Sequence, residues 1–224
     1  MFVGHFAVAL AAKRATPRLS LPLLFAAVSF LDILWPLFIV LGIEHARITP
    51  GFTAASPLDL YDFPLSHSLV TSLGWSLLLA APFLLRRRVR DGLVVAGCVF
   101  SHYVLDFVTH KPDLPVVPGG EARLGLGLWE HLVPAIAIEG GLFIAGIVIY
   151  LRATRATGRA GTIGFALFML VLAASWLSGV FGPPPPNIMV VGVSALIAIP
   201  LILLWAWFVD RRRPPRVESR PEPA

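Results

Sequence analysis

Val99-Phe-Ser-His-Tyr-Val-Leu-Asp-Phe-Val108 is an apolar run carrying one histidine and one aspartate. It lies within a stretch, 92–109, long enough to cross a bilayer, since about 17–25 apolar residues span the hydrocarbon core as a helix. His102 and Asp106 are four residues apart, so they sit about 40° apart on one helical face. An ionisable side chain at mid-membrane costs roughly 2.5–3.5 kcal/mol on insertion scales, and two together mark a site. An imidazole and a carboxylate one turn apart can bind the same divalent metal. The structural alternative is a hydrogen bond that only locks two helices together.

Working outward, the composition agrees with that first stretch. Of 224 residues, 57% are hydrophobic and 14% are charged, against about 25% charged in a soluble domain. The class is all-α: a polytopic membrane protein with no room for a large extra domain. Six spans are expected, at roughly 21–43, 68–86, 92–109, 129–151, 162–181 and 187–209. Phe2 to Ala12 is too short to cross and reads as a half-helix or re-entrant segment. No basic segment precedes it, so it is a poor signal peptide. Residues 1–209 form a single helical membrane domain, and 210–224, rich in Arg, Pro and Glu, read as a disordered tail.

Lysine and arginine set the orientation. Fifteen of the eighteen fall before the first span, between the second and third, after the fourth, or after the sixth. Only Arg47, Lys111 and Arg123 fall on the other side. The positive-inside rule makes the first side cytoplasmic, with the C-terminus there and loops 44–67, 110–128 and 182–186 outside. The basic pI of about 10.1 therefore reflects topology and contact with anionic lipid, not nucleic acid. The lone Cys98 has no partner for an internal disulfide and reads as a packing residue. No internal repeat is evident, which argues against an inverted-repeat transporter.

The polar positions cluster by depth. At 1.5 Å of rise per residue, Asp32 lies roughly 16 Å in from Leu21 and His5 roughly 12 Å from Lys13. His102 is at a similar level, Asp106 is one turn further out, and His67 and Asp62 fall near the outer surface. His5, Asp32, His67, His102 and Asp106 are therefore candidate metal ligands facing an external pocket. Asp62 is an additional ligand or a general base. Mixed His/Asp ligation suits zinc first, with manganese or iron as alternatives, and disfavours calcium. His110, Glu130 and His131 read as interfacial. Glu139 reads as a neighbour of the ligands or a snorkelling partner of Arg152, Glu44 and His45 as solvated loop residues, and Ser66 as a helix cap.

Gly4-His5 before a short helix, an aspartate in the next span, Ser66-His67-Ser68 opening another, and His102-x-x-x-Asp106 together resemble the YdjM-like inner-membrane proteins. That family is described as metal-dependent hydrolases with a proposed distant relation to zinc-dependent phospholipase C. The resemblance covers about residues 1–150 and places His5, Asp32, His67, His102 and Asp106 on the family's polar positions. Two motifs differ. Leu31-Asp32-Ile33-Leu34 stands where the family has Pro-Asp-x-Asp. Asp62-Phe-Pro-Leu-Ser-His67-Ser stands where it has His-Arg-Gly-x-Thr-His-Ser, so an arginine suited to a phosphate group is missing.

Three functions remain open. The resemblance implies a metal-dependent hydrolase at the external face of a bacterial inner membrane, acting on a lipid or phosphoester. The same residues can serve a metal-ion or proton-coupled transporter, although a conduit needs polar groups in both halves of the bilayer. A non-catalytic membrane scaffold held by the polar network is the third.

Overall fold

The computed structural model describes residues 1–216. Helices dominate: α1 (Val3–Ala15), α2 (Leu21–Val28) and α3 (Phe30–Val40), then, after strands β1 (His45–Ile48) and β2 (Leu58–Asp62), α4 (Pro64–His67), α5 (Leu69–Leu85) and α6 (Val89–Thr109). Strands β3 (Leu114–Pro115) and β4 (Arg123–Leu124) lead to α7 (Leu132–Ala153), α8 (Arg159–Phe181) and α9 (Ile188–Arg212). Helices α6, α7, α8 and α9 are each long and apolar enough to cross a membrane. Helices α2 and α3 pass the same test only as a pair bent by 57°, and α5 is apolar but has 17 residues. The chain is an integral membrane protein of the all-α class, with at least four helices of spanning length among the described residues.

Three features depart from the expected layout. The stretch 21–43 is not one straight helix. It breaks at Ser29, which caps the end of α2 and the start of α3. Hydropathy reports burial in lipid and is blind to such a bend. Second, the loops carry two short antiparallel pairs, β1 with β2 and β3 with β4. Third, order continues past 210: α9 runs to Arg212, and Arg216 and Pro214 exchange backbone hydrogen bonds with Ala153 and Arg155. The remainder of the expected tail, 217–224, lies outside the described residues.

The short α1 is almost wholly buried, with Val3, Ala9 and Leu10 fully enclosed. It packs along α7, where a Cβ on Gly146 would stand 2.7 Å from the Ala7 backbone. Such close approach of small residues is how helices associate inside lipid, where apolar side chains gain nothing by leaving the solvent. At its far end Lys13 is buried, donates to the Leu19 carbonyl and pairs with Asp210 of α9 at 2.7 Å. The first helix is thus held along α7 and, through Lys13, to α9, and this position carries His5 into the interior.

Candidate metal centre

Helix α6 supplies the spine of the site. His102, Asp106 and His110 follow one another at intervals of four, with His110 as the residue that ends the helix. All three are buried. From α1, the His5 ring stacks on His102 with centroids 3.7 Å apart and planes 2° from parallel. His67, from the short α4, meets His102 edge-on at 5.3 Å.

The break at Ser29 does two things for the site. It places Asp32 in the first turn of α3, where the unpaired N–H groups of a helix start favour a negative charge. It also presents the Val28 carbonyl to His102 Nδ1 at 2.6 Å. A carbonyl can only accept, so Nδ1 carries the proton, and Nε2 of the neutral ring keeps its lone pair. His102 Nε2 is buried without a hydrogen-bond partner, although it lies 3.1 Å from Asp106 Oδ2 and 3.6 Å from Asp32 Oδ1.

His67 repeats the pattern. Its Nδ1 lies 2.7 Å from Ser66 Oγ, and the Ser66 hydroxyl donates to Glu44 Oε2 at 2.5 Å. Since that hydroxyl proton is committed to Glu44, Nδ1 donates and Nε2 is left with a lone pair. His67 Nε2 is 3.7 Å from both Asp32 Oδ1 and Asp106 Oδ2. Glu44 is held in turn by the backbone N–H groups of Leu65 and Ser66, each at 2.7 Å. The left-handed turn at Gly42 (φ +67°) reverses the chain so that Glu44 lies back over α4, and glycine adopts that conformation without penalty.

These distances fit a bound divalent ion. Ligands at about 2.0–2.2 Å in a tetrahedral shell stand about 3.3–3.6 Å from one another. Donors from Asp32, His67 and His102 all lie within 4.8 Å of one another, as do donors from His5, His102 and Asp106. Among the described residues no lysine or arginine side chain pairs with Asp32 or Asp106, and the Met1 nitrogen meets Asp106 at Oδ1, 2.6 Å away, not at the Oδ2 that faces His67 and His102. Two carboxylates faced by imidazole lone pairs repel unless a cation lies between them. The group can therefore hold a metal ion, and two of its histidines, His67 and His102, are oriented through the far ring nitrogen, as metal-binding histidines usually are, while Nδ1 of His5 has no partner.

The five candidate ligands read from the sequence, His5, Asp32, His67, His102 and Asp106, come together here. Asp62 does not. It pairs with His45 Nδ1 at 2.8 Å on the exposed β1–β2 hairpin, where both side chains are about half exposed. Glu139 is buried in α7 and accepts from the Phe2 and Gly4 backbone N–H groups, so it anchors the start of α1 rather than pairing with Arg152. His131 starts α7 at the surface, and Glu130 pairs with Lys111 at 3.4 Å. Ser68, not Ser66, caps α5. Glu44 and Ser66 were missed because their acceptors and donors come from separate elements, which no spacing rule reports.

A cavity of about 1480 Å³ opens from the cluster, with His5, Asp32, His67, Asp106 and His110 at its polar end. From there it follows α8 and α9 between apolar walls that include Leu167, Phe168, Val171 and Ile202. Its α8 wall extends from Ala160 to Gly179, a rise of about 28 Å. Asp32 is the exposed member of the cluster, with 41% of its side chain accessible. The chain matches no family model, and no curated protein or solved structure matches it.

Proposed function

We propose that the chain is a membrane-embedded, metal-dependent hydrolase whose His/Asp centre opens to the external face and acts on a lipid or phosphoester. The observation that carries the reading is the convergence of His67 Nε2 and His102 Nε2, each ring tied through Nδ1 to an oxygen, on two carboxylates 3.1–3.7 Å away. The resemblance to the YdjM-like family supports it. Asp32, His67, His102 and Asp106 would hold the ion, with His5 beside Asp106. A divalent ion bound there would lower the pKa of a coordinated water and polarise a phosphoryl or acyl oxygen. Zinc suits the donor set best, with manganese or iron as alternatives.

The chain's own groups orient that chemistry. Val28 and the Glu44–Ser66 pair fix the ring faces of His102 and His67, and the half-exposed Asp32 leaves the approach open. The adjoining cavity exceeds the roughly 300–1,000 Å³ of a drug-sized pocket. Its apolar walls suit an acyl chain whose polar head reaches the cluster. Between His5 and Lys13, the rings of Phe6, Phe25 and Phe168 stack at 5.1 and 5.5 Å. That apolar plug, and the apolar walls of the cavity, suit a hydrolase better than an ion conduit.

In the membrane we place six spans, taking α2 with α3 as one and α5 as another, in a bacterial inner membrane. The bias of fifteen basic residues to one side supports a cytoplasmic C-terminus. The test is elemental analysis of the detergent-purified protein, followed by hydrolysis of phospholipid vesicles and soluble phosphodiesters. Metal at one or more ions per chain, with hydrolysis lost on chelation and in His102→Ala, is the expected result. Protein that stays metal-free after added zinc and manganese overturns the reading.

A further inference from the structure

Asp106 is approached from two sides. Its Oδ2 faces His102 Nε2 at 3.1 Å and His67 Nε2 at 3.7 Å. Its Oδ1 faces a different set: the Met1 backbone nitrogen at 2.6 Å, His5 Nε2 at 3.1 Å and His110 Nε2 at 4.0 Å. His110 is 4% exposed, lines the polar end of the cavity and packs against Trp129 at 4.6 Å. Its Nδ1 lies 3.0 Å from Asp113 Oδ1. An aspartate accepts, so this bond leaves the lone pair on Nε2, directed to the Asp106 side. His67, His102 and His110 thus share one arrangement: Nδ1 tied to an oxygen, Nε2 turned toward Asp106.

We propose that the centre is dinuclear, with Asp106 as the bridging carboxylate and His110 as a ligand of the second ion. The first ion takes Asp106 Oδ2, His102, His67 and Asp32. The second takes Asp106 Oδ1 and His5 Nε2, 3.1 Å apart, and draws in His110 Nε2 from 4.0 Å, in place of the Met1 nitrogen that meets that oxygen at 2.6 Å. Carboxylate-bridged pairs sit about 3.5–4 Å apart and clamp the attacking and leaving oxygens of one displacement, a geometry frequent in phosphoester hydrolases. The inference rests on the metal-binding reading above and favours a phosphoester group at the head of the substrate. It also supplies positive charge where the arginine of the resembling family is absent.

The test is manganese loading of the purified full chain, read by elemental analysis and electron paramagnetic resonance. Two ions per chain with an exchange-coupled spectrum are expected in the parent. His110→Ala should hold one ion and give the spectrum of an isolated Mn²⁺. Asp113→Asn, a milder change, should keep both ions only at about 10–100-fold higher manganese. One ion in the parent, lost in His102→Ala, overturns the dinuclear centre and leaves the metal-dependent reading intact. Two ions retained in His110→Ala, or unchanged second-ion affinity in Asp113→Asn, removes His110 from the site. No ion in the parent overturns both readings.

Discussion

Glu44 steers His67 without touching it: the Ser66 hydroxyl lies between them, 2.5 Å from the Glu44 carboxylate and 2.7 Å from His67 Nδ1. A ring held this way loses little freedom when its other nitrogen takes a ligand. Groups that orient metal-binding histidines typically contribute 10–100-fold in affinity. Glu44→Gln and Ser66→Ala should each weaken metal binding by about that factor, measured by competition with a chromophoric chelator. Unchanged affinity in both would make the relay a purely structural bond.

Metal binding should appear as stability. A ligand that binds only the folded chain at about 100 times its Kd stabilises it by about 2.7 kcal/mol. Thermal unfolding in detergent should therefore shift upward with added zinc or manganese and downward with chelator. In His102→Ala the metal-dependent shift should vanish. A shift of parental size in that variant would place the ion elsewhere.

Asp62 is the expected ligand or base that the fold places elsewhere, and its removal should be quiet. An exposed ion pair such as His45–Asp62 contributes about 0–1 kcal/mol. Asp62→Asn should leave metal content unchanged and stability within that range. Loss of metal on this substitution would mean that the hairpin folds over the cluster in the working protein.

The position of His5 depends on two contacts of α1 with α7. Glu139→Ala leaves the N–H groups of Phe2 and Gly4 without their acceptor, at a cost of about 1–3 kcal/mol for each buried unsatisfied group. Gly146→Ala drives a methyl to 2.7 Å from the Ala7 backbone, and such overpacking costs about 1–3 kcal/mol. Both variants should speed hydrogen exchange in α1 more than in α6. Uniform exchange across the bundle would show that α1 is held by other means.

The candidate ligands were legible because their background is so apolar: a histidine or aspartate among leucines and valines has few idle explanations. Helical depth then brought His5, Asp32 and His102 to one level. Asp62 misled because nearness in sequence to His67 is not nearness in space. The β2 strand turns Asp62 outward to His45, while α4 turns His67 inward. His110 and Glu44 looked like boundary residues because each follows an apolar run. Their burial comes from a cover of loop residues, with Trp129 and Phe63 over His110 and α4 over Glu44. The break at Ser29 was illegible for a different reason. Both halves are equally apolar, and the bend is set by what the Val28 carbonyl and Asp32 meet on α6.

The clamps on α1 also impose an order of assembly. Helix α1 leaves the ribosome before α7 and α9, yet it finds Gly146 and Glu139 only when α7 is made, and Asp210 only when α9 is nearly complete. Contacts so distant in sequence form late, because the intervening chain must first be ordered. His5 would then join the other ligands as one of the last events of biogenesis. A chain interrupted before α9 would carry α6, with His102 and Asp106 in sequence, and still lack the Lys13–Asp210 clamp. Newly inserted protein is thereby kept from acquiring its full ligand set until the whole bundle is present.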